Sequence, residues 1–357
     1  MGNLGIRKFK AFAWGENVFG QLGDGTNSDS NTPVHVIVTT VTALAAGASH
    51  TLALLSDGTV RAWGRNLEGQ LGNGGNADSN TPVRVRGISN VIAIAAGGFH
   101  SLALLSDGTV QAWGSNFFGQ LGDETNTDRN TPVSVSGLTN VIAIAAGRDH
   151  SLALLSNGTV RAWGLNNSGQ LGDGSNTDSN VPLSVSGLTE VTAIAGGEFH
   201  SLALLSDDTA RAWGDNSSGQ LGDGTNISRN TSVSVSGLTN VRALAGGGAH
   251  SLALLSDGTV QAWGNNVFGQ LGDESNINRN TPVSVSRLTD ITAIAGGDAH
   301  SLAILYDGTV RAWGLNSSGQ LGDGTNTNRN IPVRVSRLTD VNVISGGGAH
   351  SLALELK

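Results

Sequence analysis

The chain has 357 residues, with 52 glycines, 7 tryptophans, 6 prolines, 1 methionine, no cysteine and a formal net charge of −8. The missing cysteines exclude disulfide frameworks, cysteine-ligated zinc and thiol nucleophiles, and 20 thinly scattered basic residues leave no nucleic-acid footprint. Glycine at about twice its ordinary usage suits short strands joined by tight turns rather than packed helices.

The first residues, Met1 to Ile6, lack the apolar core of a signal peptide and the Ser/Thr needed for myristoylation. No apolar run approaches the roughly 20 residues that span a bilayer, so a soluble chain with no membrane association is expected. Residues 9–38 then supply two strand-like pieces, Phe9 to Trp14 and Pro33 to Val38. From there a repeat takes over. Tryptophan stands at Trp14, Trp63, Trp113, Trp163, Trp213, Trp263 and Trp313, and histidine at His50, His100, His150, His200, His250, His300 and His350. The spacing is 50 residues throughout, except for 49 between the first two tryptophans, and only His35 lies outside the histidine series.

The copy from Val91 to Asn140 holds four strands. Val91 to Ala96 is short, apolar and small, as a crowded central strand requires. His100 to Leu105 follows, then Asp107-Gly108, a two-residue hairpin signal, then Thr109 to Trp113. Pro132 to Ser136 is the fourth, and its opening proline suits an edge because it cannot donate to a ladder. The chain ends on strands one and two only, Val341 to Ser345 and His350 to Leu356. These complement the two strands of residues 9–38. The sequence therefore predicts an all-β, seven-bladed β-propeller of four-stranded antiparallel blades, closed by pairing two N-terminal with two C-terminal strands. A single domain is expected, with blades at 41–90, 91–140, 141–190, 191–240, 241–290 and 291–340, and a last blade joining 341–357 to 9–40.

The pattern GQLGDGTN…NTPV…VxxIAAGxxHSLALLSDGTVxAWG resembles the regulator of chromosome condensation repeat over residues 9–357. The resemblance implies a seven-bladed propeller, with functions that range from nucleotide exchange on a Ran-type small GTPase to light sensing and enzyme inhibition. Function does not transfer with the fold. The light-sensing branch needs tryptophans clustered before the histidines, where this chain has none. The exchange-factor branch uses a basic tail, for which Arg7-Lys8-Lys10 is a thin substitute.

Each copy has one nearly invariant face, the Ser-Asp-Gly-Thr turns and Gly-Leu-Thr-Asn links, and one variable face. On the variable side lie the residues before each histidine and those after each Trp-Gly. Phe19, Phe99, Phe117, Phe118, Phe199 and Phe268 fall there, with Arg65, Arg148 and Asp149 among them, and these nine are the candidate partner-binding residues. Phe19, Phe118 and Phe268 also suit packing beneath their own loops.

Other constellations carry less. A metal needs three or four ligands, whereas one histidine per blade suits an architectural bond to a neighbouring backbone group. The loop oxygens of Asp173, Asn176, Asp178 and Asn180 have calcium-like density but no closing bidentate glutamate. The Gly-x-x-Gly-Gln-Leu-Gly stretch lacks the Lys-Ser/Thr of a phosphate loop, and His100-Ser101, adjacent on a strand, point to opposite faces. The tryptophans are read as inter-blade packing residues. The expectation is a non-enzymatic, monomeric scaffold that binds a protein partner, without cofactor, metal or nucleic acid. The alternatives are a guanine-nucleotide exchange factor, as the resemblance implies, and a metal- or calcium-binding propeller.

Overall fold

The computed structural model describes residues 9–357, so Met1 to Ile6 and the basic Arg7 and Lys8 lie outside the described residues. Seven four-stranded antiparallel sheets are arranged as the blades of a propeller. In blade two the strands run from the centre outwards as Val91–Ala96, His100–Leu105, Val110–Gly114 and Arg129–Ser134. The innermost strands contact one another around a central channel, and Val341–Gly346 of the last blade reaches Val41–Ala46 of the first.

The last blade is assembled from both ends of the chain in the order Ser30–His35, Phe9–Gly15, His350–Leu356, Val341–Gly346. Phe9–Gly15 pairs with His350–Leu356 in unbroken register, from Phe9 opposite Leu356 to Gly15 opposite His350.

Two local expectations need correction. The outermost strand starts three residues earlier than its proline suggests, at Arg129 rather than Pro132. Pairing slips between Arg129 opposite Gly114 and Val133 opposite Ala112, and Pro132 sits inside that irregular stretch, where a missing donor costs the ladder nothing. The Asp107-Gly108 turn is not a two-residue hairpin either. Three residues, Ser106 to Gly108, make the connection. Gly108 N–H donates to Leu105 O at 3.0 Å, Leu105 N–H donates to Thr109 O at 2.9 Å, and Gly108 takes a φ of 79°. The Asp107 carboxylate accepts from Thr109 N (3.0 Å) and Oγ1 (2.7 Å), which clamps the turn.

The core lies between blades. Trp113 is fully buried against Leu52, Leu54, Val60, Leu71 and Val85 of blade one, and its Nε1 donates 2.8 Å to the carbonyl of Gln70. All seven tryptophans repeat this arrangement at zero exposure. A large aromatic ring on one blade thus fills the hollow of the blade before it, and adjacent sheets are welded by apolar area and one indole bond.

The histidines join blades as well, through a partner the sequence did not suggest. Each bonds through Nε2 to a hydroxyl of the next blade rather than to a backbone group: His50 to Ser101 at 3.0 Å, His100 to Ser151 at 2.8 Å, and so on to His350 and Thr51 at 3.0 Å. The ring of bonds closes on itself.

Candidate functional site

One asparagine organises the long loop between the third and fourth strands. Asn116 is fully buried; its Nδ2 donates to Asp123 Oδ1, Thr125 O and Thr127 O at 3.0 to 3.2 Å, and its Oδ1 accepts from Leu121 N at 2.9 Å. Asp128 Oδ1 caps the Asn116 backbone N–H at 2.7 Å. The same hub recurs at Asn17, Asn66, Asn166, Asn216, Asn266 and Asn316, all fully buried. These asparagines recur with the 50-residue period as clearly as the tryptophans, and that period is the signal by which the sequence marks them.

The hub also engages residues with calcium-like spacing. Asp173 Oδ1 accepts from Asn166 Nδ2 (3.2 Å) and Ser175 N (3.0 Å), and Asp178 Oδ1 accepts from Asn166 N at 2.7 Å. Asn176 Oδ1 accepts from Asn230 of the next blade at 3.1 Å, and Asn180 donates to Asn126 of the previous one at 3.0 Å. Among the described residues, no three His, Cys, Asp or Glu side chains are grouped to hold a metal ion.

These loops and the turns before each histidine share one face, as Ser115 N–H donating to Phe99 O at 2.9 Å illustrates. Five of the nine candidate residues come together on it. The Arg65 guanidinium lies 5.4 Å from the Phe19 ring centre and 5.3 Å from that of Phe99, and the Arg148 guanidinium lies 5.6 Å from Phe99 and 5.9 Å from Phe199. Aromatic and cationic layers therefore alternate as Phe19, Arg65, Phe99, Arg148, Phe199 across five consecutive blades. Carboxylates hold the cations in place: Arg65 pairs with Glu68 at 2.8 Å, and Arg148 pairs with Glu198 and, at 3.6 Å, with Asp149. Phe19, Phe99 and Phe199 are half-buried layers of this ladder, not free anchors.

The other four candidates are placed differently. Phe117 is 74% exposed and meets half-buried Phe118 edge-on at 4.8 Å. Phe268 stands on the other side of the ring at 37% exposure. Asp149 is largely buried beneath Arg148, so it braces that arginine; burial pushes its carboxyl up, against the pull of the guanidinium.

Seven turn residues surround the mouth of the channel: Ala48, Gly98, Arg148, Glu198, Gly248, Asp298 and Gly348. The depression they frame measures ≈ 190 Å³ and has a floor of alanine and glycine from every blade, with Phe99 in its rim. The glycines answer to sterics. A Cβ on Gly97 would stand 2.5 Å from His100 Nδ1 and 2.6 Å from Gly147 O. Asp298 is tied in through its backbone, its N–H donating to Gly347 O and its carbonyl accepting from Gly248 N–H, both at 3.0 Å, while its carboxylate has no side-chain partner among the described residues. Crowding in the concave mouth pushes its carboxyl up to about 6, helped by the charge of Glu198 and opposed by Arg148.

A family model described as the RCC1-like domain matches residues 8–253 and 89–357. No curated protein matches the sequence. Among solved structures, the fold is similar to yeast RCC1 (Prp20) in its complex with Kap60, at 26% identity and a TM-score of 0.88, covering 99% of this chain and 90% of that one. It is similar to Prp20p from Saccharomyces cerevisiae, described with its binding properties to Gsp1p and histones, at 27% identity and a TM-score of 0.87, covering 99% and 93%. Human WBSCR16 shares the fold at 24% identity and a TM-score of 0.87, covering 98% and 99%. No helix of the described residues is long and apolar enough to cross a membrane.

Proposed function

This chain belongs to the RCC1-like domain family, and on that premise we propose that it is a non-enzymatic scaffold whose variable loop face binds a protein partner. The observation that carries the reading is the Phe19–Arg65–Phe99–Arg148–Phe199 ladder. Five blades contribute one layer each, on the face where the seven copies differ. A scaffold needing only stability would repeat one residue at each of those positions, as it does at the tryptophans. Stacked aromatics and arginines are also the side chains that dominate binding energy at interfaces. Similarity to Prp20p, a protein described as binding Gsp1p and histones, supports a protein-binding role.

Affinity capture of partners on the immobilised chain, read by mass spectrometry, tests this. Phe117→Ser with Arg148→Ala should abolish capture, and Asp107→Asn with Asn140→Ala on the opposite face should leave it intact. The reverse pattern would place binding on the invariant face.

A second reading, guanine-nucleotide exchange on a small GTPase, is favoured by the match to Prp20p along 99% of this chain. It requires the chain to accelerate release of labelled GDP from a Ran-type GTPase at catalytic concentrations. No acceleration would leave the scaffold reading alone.

A further inference from the structure

The ladder connects two depressions. At one end, Phe19, Arg65, Leu67, Asn76, Ala77 and Asp78 line a notch of ≈ 340 Å³ between the last blade and the first. At the other, Phe99 and Arg148 form part of the channel mouth, with Glu198 and Asp298 beyond them. The notch side is apolar at its rim: Val18, Leu67 and Phe117, on three successive blades, are 59%, 65% and 74% exposed. The equivalent positions in the next two blades are Asn167 and Ser217. Val267, at the equivalent position across the ring, is 57% exposed beside Phe268, so among these seven positions Val18, Leu67 and Phe117 are the longest run of adjacent apolar residues.

Charge is equally one-sided. Arg65 and Arg148 are the two cations along this track, and both already have carboxylate partners in Glu68, Glu198 and Asp149. Asp78 at the notch, whose Oδ1 accepts from Asn66 N–H at 2.7 Å, and Asp298 at the mouth add two more carboxylates, so among the described residues four carboxylates on the track, besides the buried Asp149, stand against two cations. Asp298 Oδ1 lies against the backbone of Gly248, where a Cβ would stand only 2.5 Å away, so no neighbouring side chain covers the carboxylate from that side. The track thus presents an apolar seat, a stacked floor and a negative end to solvent.

We propose that the track binds an extended basic segment of the partner protein, with one apolar side chain in the notch at Phe19, Leu67 and Ala77 and one lysine or arginine in the channel mouth opposite Glu198 and Asp298. This rests on the proposed binding role of the variable face and adds the chemistry of what binds there. The spacing follows from the ladder. Phe19, Arg65, Phe99 and Arg148 are separated by steps of 5.3 to 5.6 Å, a path that about five or six extended residues cover at about 3.3 Å each. The unbranched stem of the basic residue lies on the Phe99 rim while its charged head meets the carboxylates, the division of labour such side chains favour. The excess of anions rejects acidic segments and speeds encounter with basic ones.

The test is selection of phage-displayed random seven-residue peptides on the immobilised full chain, followed by fluorescence anisotropy with the recovered peptides. Recovered sequences should pair an apolar residue with a lysine or arginine at a fixed separation. Binding should weaken about tenfold or more in Glu198→Gln/Asp298→Asn and in Leu67→Ser, fall with added salt, and be unchanged in Asp107→Asn. Melting temperatures of the variants keep loss of fold apart from loss of binding. Recovery of no peptides, of acidic ones, or of peptides indifferent to Glu198→Gln/Asp298→Asn would overturn the basic-segment proposal. In that last case, sensitivity to Phe117→Ser would still leave binding on the variable face. Peptides lost only with Asp107→Asn and Asn140→Ala would overturn the face itself.

Discussion

His100 Nε2 lies 2.8 Å from Ser151 Oγ, and Ser151 Oγ donates onward to the carbonyl of Gln120 at 2.9 Å. Because the serine proton is committed to that carbonyl, the serine can only accept from the histidine. The imidazole proton therefore sits on Nε2, and the buried Nδ1 is left as a bare acceptor without a partner. The same holds at all seven histidines, and each such carbonyl also receives the indole of a tryptophan, as Gln120 does from Trp163 at 2.9 Å.

This ring makes stability depend on pH. Burial lowers the imidazoles from 6.5 to about 4 at His100, His200 and His300, and burial together with neighbouring imidazoles lowers them to about 3 at His50, His150, His250 and His350. Between 6.5 and those values the unfolded chain binds protons that the folded chain refuses. The contribution is whole above about pH 6.5 and is lost as pH falls, by up to about 1.4 kcal/mol per pH unit for each histidine. Asp298, raised to about 6, and Asp149 and Glu16, also raised by burial, oppose the trend as three carboxyls against seven imidazoles. Urea midpoints should fall steeply from pH 7 to pH 5. A flat or rising midpoint over that interval would mean the imidazoles are not buried neutral.

Removing one hydroxyl isolates a single link. Ser151→Ala leaves the His100 Nε2–H buried without an acceptor, which should cost about 1–3 kcal/mol. Ser151→Thr restores the hydroxyl, and Thr51 already fills the equivalent place opposite His350. Denaturant unfolding of the two variants checks the pair: equal losses would show that packing, not the hydrogen bond, sets the cost.

Blade four carries two departures from its own repeat. Asp208 occupies the turn position taken by glycine at Gly108, with a φ of 61°, and Ser232 stands where other blades have proline in the irregular stretch of the outer strand. Asp208→Gly with Ser232→Pro should stabilise the chain by about 0.5–2 kcal/mol, by relieving left-handed strain and by stiffening the unfolded state. Hydrogen exchange should find blade four the least protected before the change and level with its neighbours afterwards. A lower melting temperature for the double variant would contradict this.

Deleting residues 1–14 removes most of the strand that pairs with His350–Leu356. The last blade would then expose an open edge, a template for aggregation. Light scattering during a thermal ramp should show earlier onset and larger particles than for the full chain. An unchanged monomeric melt would mean the ring does not depend on that pairing.

How much of this was legible beforehand follows from range. The seven tryptophans and histidines announce the blades because repetition multiplies one local signal sevenfold, and complementary half-blades give the closure. The partner of His100 was not legible, because Ser151 is 51 residues away and only the ring brings the two together. Variable loop positions and interface-forming side chains single out the Phe and Arg residues one repeat at a time. Their order as a ladder depends on five blades standing side by side, which no single repeat contains. The outermost strand begins before the proline that would mark its edge, because Pro132 occupies a break inside the strand.

The three-residue turn at Ser106 to Gly108 has a consequence for how the chain sorts itself. His100–Leu105 has near-identical copies in every blade, so Val110–Gly114 competes with Val160–Gly164 and the other third strands for the same partner. Contact energies barely discriminate between them. Closing a loop of three residues rather than one longer by a full repeat favours the adjacent strand by about 2–3 kcal/mol of chain entropy. Each hairpin is thus chosen by proximity before chemistry is consulted. Phe9–Gly15 and His350–Leu356 have no adjacent partner of this kind, and they find each other because the other hairpins have already claimed their own.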